Sequence, residues 1–181
     1  MFNSWWSTLI TQQAAGTALS ASTTPTSLLN GQAKFTIPAQ GIAFPGTKIK
    51  IHASGRMSTA ASTPGTFTFD IRFGSIIVFN GGASGTLATS ATNVTWRLNI
   101  DLVALTVGAG TTATLYGTGE LKTAALSAST PIMLLPASSP GAGTGFDSTI
   151  ANQVDLFGTW SANSASNTIR CDEFELTSCF P

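Results

Sequence analysis

His52 is the only histidine in a chain of 181 residues, and eight acids and eight bases make up the rest of its ionic complement. Acid–base chemistry near neutral pH draws first on histidine. His52 stands in the run Lys48-Ile49-Lys50-Ile51-His52-Ala53, which as a strand turns it to the face of Lys48 and Lys50, away from the apolar residues. No G-x-S-x-G elbow accompanies it, so a Ser-His-Asp triad lacks its nucleophile motif, and the histidine reads as solvated or interfacial. Asp172, Glu173 and Glu175 offer oxygen ligands for calcium, but strand neighbours alternate faces and are not expected to converge. Charge at that place reads as an exposed edge strand. The remaining acids are too scattered to mark out a carboxylate pair for glycoside hydrolysis. The glycine-rich pieces 81–85 and 141–145 lack the Lys-Ser/Thr ending and the following helix of a phosphate loop, so they read as flexible turns. No catalytic, cofactor-binding or metal-ligating residue is assigned.

What remains is chemistry of association. Asp70, Arg72, Arg97 and Asp101 alternate with apolar residues in two strand-like runs, where opposite charges could pair across a sheet or between subunits. Phe2, Trp5, Trp6, Leu9 and Ile10 fall at i, i+3, i+4, i+7 and i+8, with Asn3 or Ser4 as a cap. That spacing predicts a short amphipathic helix or arm over residues 1–16, an apolar segment that docks through its aromatics. Cys171 and Cys179 are separated by roughly 26 Å if the chain between them is extended, so they read as free, small apolar packers.

The elements that position these groups follow a period of two from residue 32 almost to the end. Strands are expected at 34–37, 47–57, 66–73, 75–79, 94–107, 111–122, 132–135, 153–160 and 167–177. The longest loop falls at 137–145. Eight or nine strands separated by Gly, Pro and Asn turns, with no internal helix expected, give an all-β antiparallel sandwich of jelly-roll type over residues 17–181. Hydrophobic residues form 43% of the chain against 9% charged, with a net charge of zero. Such a chain can bury a core, but it has no basic footprint for nucleic acid, so none is expected as a partner. A surface this poor in charge points to a homo-oligomer. No apolar run approaches the roughly 20 residues of a membrane span, and no basic stretch precedes an apolar leader, so synthesis in the cytoplasm is expected.

Several strings carry a resemblance together: Ala33-Lys34-Phe35-Thr36-Ile37-Pro38, Gly65-Thr66-Phe67-Thr68-Phe69-Asp70-Ile71-Arg72-Phe73-Gly74, Asn93-Val94-Thr95-Trp96-Arg97-Leu98, Asp155-Leu156-Phe157-Gly158-Thr159-Trp160-Ser161 and Ser164-Ala165-Ser166-Asn167-Thr168-Ile169. From about residue 15 onward the chain resembles a family of small structural proteins of tailed bacteriophages and prophages. The resemblance implies a virion component on a jelly-roll-like sandwich. It would be a capsid decoration (cement) protein touching the major capsid protein as a homotrimer, or a tail or spike module that attaches to host glycans. Its motifs are those of strands and turns and are silent about an active site, and no cofactor is expected. For the glycan reading, Trp96 and Trp160 are the stacking aromatics to test, although alternation turns both toward the core.

Overall fold

The computed structural model describes residues 5–127 and 131–180. Its strands are β1 (Trp5–Thr11), β2 (Leu19–Ser20), β3 (Thr26–Ser27), β4 (Thr36–Ile37), β5 (Lys48–Ser58) and β6 (Phe67–Phe73). They continue with β7 (Ile76–Ala83), β8 (Val94–Thr106), β9 (Thr114–Thr123), β10 (Ile132–Leu135), β11 (Asn152–Trp160) and β12 (Thr168–Phe180). The helical structure among the described residues is one 3-10 turn, Gly31–Ala33, whose first amides are capped by the Asn30 side chain. None of it is long and apolar enough to cross a membrane.

All strand pairs are antiparallel, and they form two sheets. The larger runs β1-β12-β5-β8-β9-β10, with β2 also on β12; the smaller runs β3-β11-β6-β7, with β4 also on β11. Alternation decides which residues face inward. Phe67, Phe69, Ile71 and Phe73 of β6 meet Ile49 and Ile51 of β5 and Leu98, Ile100 and Leu102 of β8 in one continuous core. Burying each such side chain contributes about 1.5–3 kcal/mol. Phe69 of the small sheet meets Trp96 of the large one at 5.1 Å and ties the layers, while within the small sheet Phe67 meets its cross-strand partner Trp160 edge-on at 4.7 Å. The chain is therefore an antiparallel β-sandwich of jelly-roll type.

The expected N-terminal helix is a strand. Trp5–Thr11 pairs with the end of β12, from Trp5 opposite Phe180 to Thr11 opposite Glu175, with a bulge between Thr8 and Ile10. Aromatic and β-branched residues favour a pleated edge, and β12 offers a row of backbone partners that a short helix in water would lack. The bulge explains the misleading spacing. It inserts one residue, so Leu9 and Ile10 both pack on the core and the period of two is broken at that point.

A second bulge, between Cys171 and Glu173 of β12, lies opposite Gly55. A Cβ at residue 55 would fall 1.9 Å from the Arg170 carbonyl oxygen, so only glycine admits the neighbouring strand there. The expected first strand at 34–37 shrinks to β4; ahead of it the Phe35 carbonyl accepts from the Val154 amide at 2.8 Å, and Lys34 turns its ammonium to Asp155.

Candidate functional site

The outward residues of β5, β8, β9 and β12 form a polar face on the large sheet. Register builds it in rows. One row runs Glu175, His52, Asn99, Glu120 across four strands, and the next runs Thr177, Lys50, Asp101, Thr118. Hydrogen bonds link the first row: His52 Nδ1 donates to Asn99 Oδ1 at 2.7 Å, and Asn99 Nδ2 donates to Glu120 Oε1 at 3.0 Å. Lys122 meets Glu120 at 2.7 Å, and Lys50 meets Asp101 at 3.6 Å. Between the rows lies an open depression of about 470 Å³, lined by Lys50, His52, Asn99, Asp101, Glu120, Glu175 and Thr177.

Trp6 stands at the β1 border of this depression, 46% exposed, with Lys50 Nζ 4.7 Å from its ring centroid. The cation steadies the indole while leaving much of it open. Beside it Thr8 Oγ1 donates to Glu175 Oε1 at 3.2 Å. At the opposite border, Leu134 of β10 joins Asn99, Asp101, Thr118 and Glu120 around a second hollow. The face thus has a polar floor with an aromatic on one side and an aliphatic on the other.

Its electrostatics favour holding over proton transfer. Hydrogen bonds from Lys122 and Asn99 hold the Glu120 carboxyl below its usual range, so it is an acceptor and not an acid. A glycosidase acid needs the opposite shift. The Asp172 carboxyl is pushed up by burial, but hydrogen bonds from Arg56 and Arg170 outweigh that and leave it below its ordinary value. Glu173 accepts from Ser54 Oγ at 2.7 Å. The β12 bulge sends Asp172, Glu173 and Glu175 to the same face, where alternation alone had separated them, yet each is spent on a different partner. Among the described residues no three His, Cys, Asp or Glu side chains gather around a common point for a metal ion.

The residues singled out in the sequence are dispersed. Asp70 and Arg72 sit on β6 in the small sheet, whereas Arg97 and Asp101 sit on β8 in the large one, so the two pairs face away from each other. Arg72 grips Asp70 with two hydrogen bonds, of 2.6 and 3.1 Å, and lies 4.1 Å over the Phe157 ring. Nearby, Asp155 takes Lys34 Nζ at 2.7 Å and Ser27 Oγ at 2.7 Å. This buried cluster fastens the chain around β3 and β4 onto β11 and leaves no free charge for a partner. Arg97 lies in register between Ser54 and Lys122.

Of the docking set, Phe2 lies outside the described residues and Trp5 pairs through its backbone. Leu9 and Ile10 pack on the chain's own core, and Trp6 is exposed. Trp96 and Trp160 are wholly buried, so neither presents a ring to a ligand. Cys171 and Cys179 are free thiols. The glycine piece 141–145 wedges between strands: the Gly143 amide donates to Leu115 and that of Thr144 to Ile77. Sequence reasoning passed over Asn99, Glu120 and Thr177, whose only signal was outward alternation.

No protein-family model and no curated protein matches the chain. Among solved structures, it is similar to peanut lectin crystallised with a nine-residue peptide, at 10% identity and a TM-score of 0.38, over 99% of this chain and 100% of that one. It is also similar to the CBM2 module of the evolved Dit of Lactobacillus casei BL23 phage J-1, at 10% identity and a TM-score of 0.34, over 80% of this chain and 67% of that one. Lectin II of Ulex europaeus overlaps it at 13% identity and a TM-score of 0.35, over 97% and 98%. Overlaps this loose assign the chain neither ligand nor partner.

Proposed function

We propose that this chain is a glycan-binding attachment module of a phage virion, and that the outer face of its large sheet holds the sugar. One observation carries the reading: the exposed Trp6 ring packs against Lys50, itself on the wall of a depression floored by Asn99, Asp101, Glu120, His52 and Thr177. A pyranose offers a ring face of C–H bonds and a rim of hydroxyls, which match an aromatic plane and a set of fixed donors and acceptors. The depression is open, as a site for the end or side of a surface polysaccharide must be. The virion assignment rests on the family resemblance of the strand motifs.

The full chain on an array of bacterial surface glycans tests this. Binding is expected to fall at least about tenfold, or about 1.4 kcal/mol, in Trp6→Ala and in Asn99→Ala, with unchanged unfolding midpoints. An array without binding above background ends the proposal. So does binding that both variants retain.

The second reading, capsid decoration, is supported by a different region. Phe44 and Ile150 on loops and Leu105 in the irregularity near the end of β8 are all exposed at one end of the sandwich, joined through Gly46 to Ala104 and through Gln40 to Ser148. An apolar tip suits a seat on a capsid protein. Copy number per particle separates the two, with a ratio near that of the major capsid protein expected for decoration and a handful for attachment.

A further inference from the structure

β10 ends the large sheet with Ile132-Met133-Leu134-Leu135, and none of the four is charged. The Thr123 amide donates to the Pro131 carbonyl at 2.9 Å. Antiparallel alternation from that bond, carried along the pairs Ile132 with Lys122 and Leu134 with Glu120, aims the backbone groups of Met133 and Leu135 at β9. Those of Ile132 and Leu134 point to the open edge. Their side chains, 48% and 74% exposed, stand on the sheet's outer face. Edges are ordinarily blunted by a charge, a proline or a bulge within the strand. β10 has none of these between its flanking prolines, Pro131 and Pro136, and is limited only by its length of four residues.

We propose that β10 is the seam through which two copies of this chain join, antiparallel about a two-fold axis at Met133, so that their large sheets continue as one. Directly opposed residues in an antiparallel ladder share a face and exchange both backbone bonds at alternate pairs. The register that uses all the outward groups sets Ile132 opposite the second copy's Leu134, and Leu134 opposite the second copy's Ile132. The two Met133 residues then face each other on the core side. Each outer row reads Glu120, Leu134, the second copy's Ile132, the second copy's Lys122. An apolar centre is thus flanked by opposite charges, and no like charges meet. This self-complementarity, in a chain with no net charge to keep copies apart, commits the edge to a second copy over a foreign strand. The inference stands whether or not the polar face holds a sugar.

Sedimentation of the full chain at micromolar concentrations is expected to give a mass twice the monomer's 18.6 kDa. The double variant Ile132→Lys/Leu134→Lys is expected to sediment as monomer with its unfolding midpoint retained. A wild-type monomer throughout that range overturns the proposal. A dimer that survives the lysines also overturns it and moves the interface elsewhere, to the β1 edge first. A covalent test reads the register directly, in a Cys179→Ser background. Opposed Cα atoms about 5.5 Å apart suit a disulfide, so Ile132→Cys/Leu134→Cys is expected to oxidise to a covalent dimer. Either single cysteine is expected not to. Equal cross-linking by the single variants refutes the two-fold register.

Discussion

Trp96 and Trp160 are equally buried, yet their indole N–H groups are treated differently. Trp96 Nε1 donates to the Arg170 carbonyl at 3.2 Å, while Trp160 Nε1 is buried with no partner among the described residues. A buried donor without an acceptor costs about 1–3 kcal/mol, and a lost hydrogen bond about 0.5–1.5 kcal/mol. Trp160→Phe is therefore expected to be milder than Trp96→Phe by about 1–3 kcal/mol in urea unfolding; equal losses would contradict it. The cysteines diverge in the same way. Burial pushes the Cys171 thiol up to about 12 from an ordinary 9.0, and Cys179 is half-buried. A thiol reagent at pH 8 is expected to label Cys179 in the native protein and Cys171 only after unfolding, as read by mass spectrometry. The folded chain keeps the Cys171 proton where the unfolded chain has lost it. Stability from this group is thus complete below pH 9.0 and declines as pH rises toward about 12.

At the scale of elements, the glycines of the 141–145 piece act by closeness. A Cβ at Gly143 would lie 1.9 Å from the Val78 carbonyl oxygen, and one at Gly145 would lie 2.1 Å from that of Thr111. Gly143→Ala must push backbone apart and is expected to cost about 1–3 kcal/mol or more, with faster amide exchange at Thr144. An unchanged unfolding midpoint would show that the wedge is loose. These glycines looked like flexible turn residues because a sequence records a missing side chain but not the strand that fills its place. β5, β6, β8, β11 and β12 were legible because each turns one face into the core, so apolar residues recur at every second position over most of its length, the bulge at Asp172 in β12 aside. β2 and β3 were not, since a two-residue strand has no period. β1 was misread where the Leu9 bulge shifts the pattern.

For the whole molecule, the two outer faces differ in kind. That of the small sheet is closed by the Asp70, Arg72, Asp155 and Lys34 cluster, and that of the large sheet is open and polar. Outward positions could be read from alternation, but which of them become neighbours could not. The site joins residues from Trp6 to Thr177, and only strand order and register bring them together. The same ladder brings the two ends together, with Trp5 opposite Phe180. Tension applied between those ends would pull across the β1–β12 seam and break its hydrogen bonds in succession, each loaded alone, as a zipper opens. Held by one end, the chain leaves that seam slack; held by both, it would fail there first and shed Trp6 from the face it borders.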